Sequence, residues 1–205
     1  YLCSLGLHAV RFNRFIPTLN TYLNNRDHRK ICVVDGNIGF MGGINLADEY
    51  INERIRFGHW KDTGVRLMGS GVANMTEMFL QMWEYTTKDR FLDRARYMPT
   101  IVRSGDGYVQ PFYDSPLDDR NVGETVFMHI INRAQRYVYI TTPYLILDNE
   151  MITTLTVAAQ SGIDVRIITP GIPDKKLVYR VTRSYYQQLH RAGVKIYEYR
   201  PGFLH

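Results

Sequence analysis

The chain has 205 residues, 45% of them hydrophobic, with 25 Lys and Arg against 20 Asp and Glu for a formal net charge of +5. That length suffices for one large or two small domains with a real core, and no stretch approaches the ~20 consecutive apolar residues of a membrane-spanning helix. Two cysteines, Cys3 and Cys32, make neither a disulfide framework nor a zinc site; Cys32, inside an apolar run, reads as a small buried hydrophobe.

In chain order, residues 6–13 read as a strand, and Pro17 with its neighbouring asparagines as a loop. A strand is predicted over 29–34, a turn at Gly36-Asn37 and a short partner strand over 38–41. Residues 64–68 give another strand. From Ser70 onward Val72, Met75, Phe79, Met82 and Trp83 follow helical spacing, a stripe that suits core packing. Residues 88–121 are charged and broken by Gly and Pro, which reads as a linker and a first strand between the halves. Beyond it the pattern alternates: helix over 124–134, strand 137–141, helix 149–160, strand 164–169, helix 176–191 and strand 194–199. Such alternation indicates an α/β fold with a parallel-rich sheet. A weak internal repeat, Gly6 to Phe12 against Gly193 to Tyr199, suggests two equivalent halves, each glycine-led strand preceding a histidine.

The positive charge is concentrated. Arg11, Arg14, Arg26, Arg29 and Lys30 face only Asp27 within residues 11–30. Residues 165–200 hold Arg166, Lys175, Lys176, Arg180, Arg183, Arg191, Lys195 and Arg200 against Asp174 and Glu198. Charge of this kind suits an anionic headgroup, a membrane surface or nucleic acid alike.

The most informative stretch is His28-Arg29-Lys30-Ile31-Cys32-Val33-Val34-Asp35, followed by Gly42-Gly43-Ile44-Asn45. It spells HxKx4D and then GGxN. In an extended strand His28 and Lys30 would share a face. Lys30 supplies a point charge for phosphate oxygens, and an imidazole can attack phosphorus or move a proton. Asp35 falls on the opposite parity and is expected to orient backbone or a motif partner. Gly42 and Gly43 would let the chain approach a phosphate closely. No carboxylate and histidine cluster stands at metal-ligand spacing, so neither metal nor other cofactor is implied. Aromatic and basic residues are not interleaved as a base-stacking surface would need, which disfavours nucleic acid. His8, His59, His129 and His190 have no motif around them.

HxKx4D with GGxN is the motif of the phospholipase D superfamily. The wider wording, Asn25 to Lys30, Gly42 to Tyr50, Trp60-Lys61-Asp62-Thr63, Thr142-Pro143-Tyr144, Pro170 to Lys176 and Pro201-Gly202-Phe203-Leu204-His205, closely resembles bacterial cardiolipin synthases. The resemblance implies a phospholipase D-like fold of two similar α/β halves with parallel-rich mixed sheets. The first half, with the complete motif, would cover 1–100. The second would cover 101–205 and stop at the first residue of its own motif, His205, making the chain an internal fragment.

Several roles follow from the same resemblance. His28 would form a phosphohistidine and His205 would act as acid and base. Lys30 and Asn45 would carry phosphoryl charge, Asp62 would lie against His205, and Asp48 and Glu49 would orient the segment after the glycines. Tyr144, Asp174, Lys175 and Lys176 would be headgroup contacts. The implied reaction joins two phosphatidylglycerol molecules into cardiolipin and glycerol; a hydrolase or a phosphatidylserine synthase would share the intermediate, and a superfamily nuclease is the more distant alternative. The implied partners are anionic phospholipid and a membrane surface, at the bacterial cell membrane and facing the cytosol. Anchoring helices are expected upstream, and the fragment by itself is expected to be inactive.

Overall fold

The computed structural model describes residues 1–13, 26–90, 93–103, 105–115 and 120–205; Pro17 and its loop lie outside them. In chain order the strands are β1 (Ile31–Val34), β2 (Ile38–Gly42), β3 (His59–Lys61), β4 (Gly64–Met68), β5 (Tyr137–Thr141), β6 (Asp164–Pro170), β7 (Lys195–Tyr199) and β8 (Gly202–Leu204). The helices are α1 (Val72–Thr87), α2 (Val122–Asn132), α3 (Asn149–Gln160), α4 (Lys176–Ser184) and α5 (Tyr186–Arg191). They form two compact units, Tyr1–Gly42 with Gly64–Asp119, and Gly43–Thr63 with Arg120–His205. Residues 43–63, from the first half of the chain, thus fold with the second.

In the first unit, β1, β2 and β4 form an antiparallel sheet in that order. Val34 pairs with Ile38 across the turn, and Phe40 with Arg66. The turn is stabilised by Asn37, whose side-chain oxygen accepts from the Thr100 and Ile101 amides at 2.8 Å each. Helix α1 contacts β1 and β2. Its inner face holds Val72, Met75 and Met78, while Phe79 is 51% exposed; the apolar stripe is therefore turned relative to the predicted one. Arg94 clamps the outside of α1 by pairing with Glu77 and Glu84.

Four sequence expectations are corrected here. Residues 6–13 form no strand, nor do the described residues of 88–121, since an extended segment becomes one only when a neighbour supplies a hydrogen-bond ladder. The strand predicted from residue 29 begins at Ile31, because Arg29 is instead turned back onto Asp27, 2.8 Å from Nε to Oδ1, with its guanidinium over Tyr113. Burial raises the Asp27 pKa, but hydrogen bonds from Arg29 outweigh it and leave the carboxyl below its ordinary value. Cys32 is exposed: along β1 burial alternates, so Ile31 and Val33 take the better-covered face and Cys32 and Val34 the open one.

The second unit carries the larger core. Strands β5, β6 and β7 are parallel, with Ile167 paired to both Ile140 and Ile196. Val165, Ile167, Leu155, Leu189 and Val194 are all within 1% of complete burial. Asp148 caps α3 by accepting from the Met151 amide at 2.8 Å. The single helix predicted over 176–191 is two, α4 and α5. Thr182 is fully buried and its hydroxyl accepts from the Leu145 amide. The next turn tightens, the Tyr185 amide bonding three residues back to Thr182.

On the open face of this sheet, Asp164 accepts hydrogen bonds from Arg166, Lys195 and Tyr139, which hold its carboxyl far below the usual carboxylate range. A depressed carboxylate contributes stability above its unfolded pKa of about 3.9 and loses it as pH falls through the folded value. Asp164→Asn should therefore lower the urea midpoint at pH 7, with the difference from wild type shrinking below about pH 4. A difference independent of pH would show that the ionised carboxylate is not what stabilises this sheet.

Candidate active site

Two three-residue strands set the geometry of the second unit's site. β3 and β8 pair in parallel, His59 with Gly202, Trp60 with Phe203 and Lys61 with Leu204. The His59 amide donates to Pro201 O at 2.9 Å, and the His205 amide to Lys61 O at 2.8 Å. One further step of this register puts Asp62 beside His205. Gly202 permits the pairing, because a Cβ there would lie 2.3 Å from the His59 carbonyl oxygen. Trp60 and Phe203 are 7% and 1% exposed, with ring centroids 4.5 Å apart, so the strands rest on an aromatic floor.

His205 Nδ1 lies 2.9 Å from Asp62 Oδ2, the two side chains being only 15% and 4% exposed. A carboxylate can only accept, so Nδ1 carries the hydrogen and Nε2 is left to receive or release a proton. Asp62 Oδ1 also accepts from the Thr63 amide at 2.7 Å, which fixes the carboxylate. Gly43 backs the pair: a Cβ on it would lie 2.5 Å from His205 Nδ1 and 2.6 Å from Asp62 Oδ1. That is a stronger reason for glycine than approach to phosphate.

Asn45 reaches the same cluster through Tyr50, donating from Nδ2 to the phenol oxygen at 2.5 Å. The Tyr50 ring meets His205 edge-on, centroids 5.4 Å apart at 87°, and packs 4.5 Å from Trp60. Asn52 grips the backbone of Trp60 from both sides, donating to its carbonyl at 3.0 Å and accepting from its amide at 2.7 Å. Glu49 points elsewhere: its carboxylate sits 3.2 Å from Arg56. Its pKa is lowered, first by its own backbone amide and then by Arg56. Asp48 opens the short helical turn Asp48–Ile51.

Further along the unit, Tyr144 donates to Asp174 Oδ2 at 2.5 Å. Burial, and then this bond, push the phenol well above its usual pKa. Lys175 lies 5.0 Å over the Tyr144 ring. The trio Glu124, Asp148 and Glu150 has carboxylate oxygens within 4.8 Å of one another and is mostly exposed.

The remaining motif residues lie in the first unit. His28 is exposed and Lys30 half-buried, both in the segment just before β1. Lys30 Nζ donates to the His28 carbonyl at 2.6 Å, so the pair is joined through the backbone rather than by strand alternation. Asp35 lies past the far end of β1, in the hairpin turn with φ +53°, and its carbonyl accepts from Asn37 at 2.9 Å. The four residues of β1 separate it from Lys30, five steps or roughly 16 Å at the usual rise.

Tyr50 and Asn52 were missed as site residues. Both stand among the words that carry the family resemblance or next to them, but a phenol and an amide have no spacing rule. Only the register of β3 against β8 shows that Tyr50 meets His205 and that Asn52 holds the strand beside it.

Residues 127–205 match the family model described as cardiolipin synthase, PLD-like domain. This segment is similar to that phospholipase D-like domain, and its alternating helices and parallel strands are an α/β fold. Over nearly its whole length the chain is similar to bacterial cardiolipin synthases. It is 40% identical over 202 residues to a cardiolipin synthase of Alkalihalophilus pseudofirmus, covering 98% of this chain and 40% of that protein. With a cardiolipin synthase of Geobacillus thermodenitrificans the figures are 43% over 207 residues, 100% and 41%. An uncharacterized protein of Streptococcus mutans is 54% identical over 203 residues, 98% and 44%. The chain thus spans about two-fifths of the length of the curated relatives it matches.

Proposed function

We propose that this chain is part of a phosphatidyltransferase that joins two phosphatidylglycerol molecules into cardiolipin and glycerol at the membrane. The observation that carries the reading is the shielded Asp62–His205 pair, set beside Asn45 in a chain that also carries HxKx4D. A neutral His28 attacks phosphorus, and the bond to one glycerol oxygen breaks. His205 protonates that oxygen from Nε2, releasing glycerol and leaving a phosphohistidine. The neutral His205 then takes the proton of a hydroxyl on a second phosphatidylglycerol; its oxygen attacks phosphorus and frees His28. Lys30 and Asn45 supply positive charge and a donor for the phosphoryl oxygens. Asp62 orients His205, and Asp35 and Glu49 shape the backbone that presents the motif. The first 100 residues and the remainder are the two sequence halves of one phospholipase D-like fold, with residues 43–63 of the first packing into the second unit, and the active part faces the cytosol.

The test is to incubate the full-length protein with phosphatidylglycerol labelled in its headgroup and resolve the products. Cardiolipin and free glycerol should appear in equal amounts. Phosphatidic acid as the main product would mean that water is the acceptor and the enzyme is a hydrolase. With no turnover of the lipid at all, the reading fails.

A further inference from the structure

Helix α4 is buried along one side only. Thr182 is fully covered, and Tyr179 donates to Glu198 at 2.7 Å. Burial and this bond push the Tyr179 phenol up to about 12. The opposite side is open: Leu177 is 74% and Val181 39% exposed, one turn apart. Lys176 and Arg180 repeat the same spacing on the adjoining sector and are exposed. Among the described residues neither has an ion pair, whereas Arg183 lies 3.9 Å from Glu198. Just before the helix, Lys175 and Ile172 are exposed as well. No acidic residue occurs in α4. An apolar ridge beside a basic row, with no acid to neutralise it, matches a surface that is anionic outside and apolar beneath.

We infer that α4 is a lipid-docking helix, which lays Leu177 and Val181 into the headgroup boundary of an anionic bilayer while Lys176 and Arg180 meet lipid phosphates. The inference extends the proposed function by assigning the surface that meets the lipid. Its charge complementarity selects a membrane over a protein groove, since the ridge is only two side chains long and flanked by cations. Such a helix would hold the second unit at the bilayer surface independently of any chemistry.

The experiment is co-sedimentation of the chain with phosphatidylglycerol–phosphatidylcholine vesicles and with pure phosphatidylcholine vesicles. Binding is expected to the first and to be much weaker to the second. Lys176→Gln and Arg180→Gln should each weaken it about fivefold, and Leu177→Ser with Val181→Ser about tenfold together. All these sites are exposed, so matching unfolding midpoints confirm intact folding. Unchanged vesicle binding by the Leu177→Ser, Val181→Ser variant overturns the inference, as does tighter capture of single-stranded DNA than of anionic vesicles. In the full-length protein, turnover of dispersed short-chain phosphatidylglycerol should be unchanged by Leu177→Ser with Val181→Ser. Absence of that turnover in the wild type would reject the proposed reaction while leaving the vesicle measurement to judge the helix.

Discussion

Gly43→Ala is expected to remove nearly all phosphatidyl transfer from the full-length protein. The added methyl would sit 2.5 Å from His205 Nδ1 and within 2.8 Å of both Asp62 oxygens, where ordinary contact needs about 3.4 Å or more. Neither partner can step aside freely. Asp62 is held by the Thr63 amide, and the backbone of His205 is tied to Lys61. The imidazole must therefore move by about an ångström, a displacement that costs on the order of 100-fold in rate when it falls on a reacting group. Overpacking should also cost about 1–3 kcal/mol of stability. The neighbouring Ile44 is 47% exposed, so Ile44→Ala should leave both kcat/KM and the urea midpoint almost unchanged. If Gly43→Ala retained activity within twofold of wild type, His205 would not be working from the position seen here.

His28→Ala should be the more severe lesion, lowering turnover about a thousandfold or more because no covalent intermediate can form. A rapid denaturing quench at alkaline pH, where a P–N bond to imidazole persists, with phosphorus-labelled lipid should trap label on the wild-type protein and none on the variant. Lys30→Ala should lose about 100- to 1,000-fold through the missing phosphate charge. Lys30→Arg should recover little of it. The Lys30 ammonium is anchored to the His28 carbonyl at 2.6 Å, and a planar guanidinium cannot keep that bond while presenting the same point charge. Label trapped on His28→Ala at wild-type levels would assign the nucleophile to another residue.

The sequence was informative where burial imposes a period. In the second unit, the alternation of β6 and the bounds of α3 were legible because one face of each packs into the same core. The motif residues were legible for a different reason: imidazole, ammonium and amide at fixed spacing are rare without a chemical use. What escaped notice were β3 and β8. Three residues carry no periodicity, and their pairing depends on a partner more than 140 positions away. Asp62 was placed against His205 only through family resemblance; no local pattern announces it. The strand expected over 6–13 failed for the converse reason, an extended pattern with no ladder to join. Cys32 was misjudged because an apolar word does not say which parity faces the helix.

The parallel pairing of β3 with β8 also has a consequence in time. Asp62 leaves the ribosome well before its partner His205, and at about 5–20 residues per second the separation of 143 positions takes on the order of ten seconds to make. Throughout that interval Asp62 has no imidazole to pair with. Loop-closure entropy is slow to grow with length, so the delay adds little to the final cost of bringing the two ends together. It does make the Asp62–His205 contact a late event in folding. Each newly made copy therefore completes the Asp62–His205 pair only after the core strands β5, β6 and β7 have been synthesised to receive it.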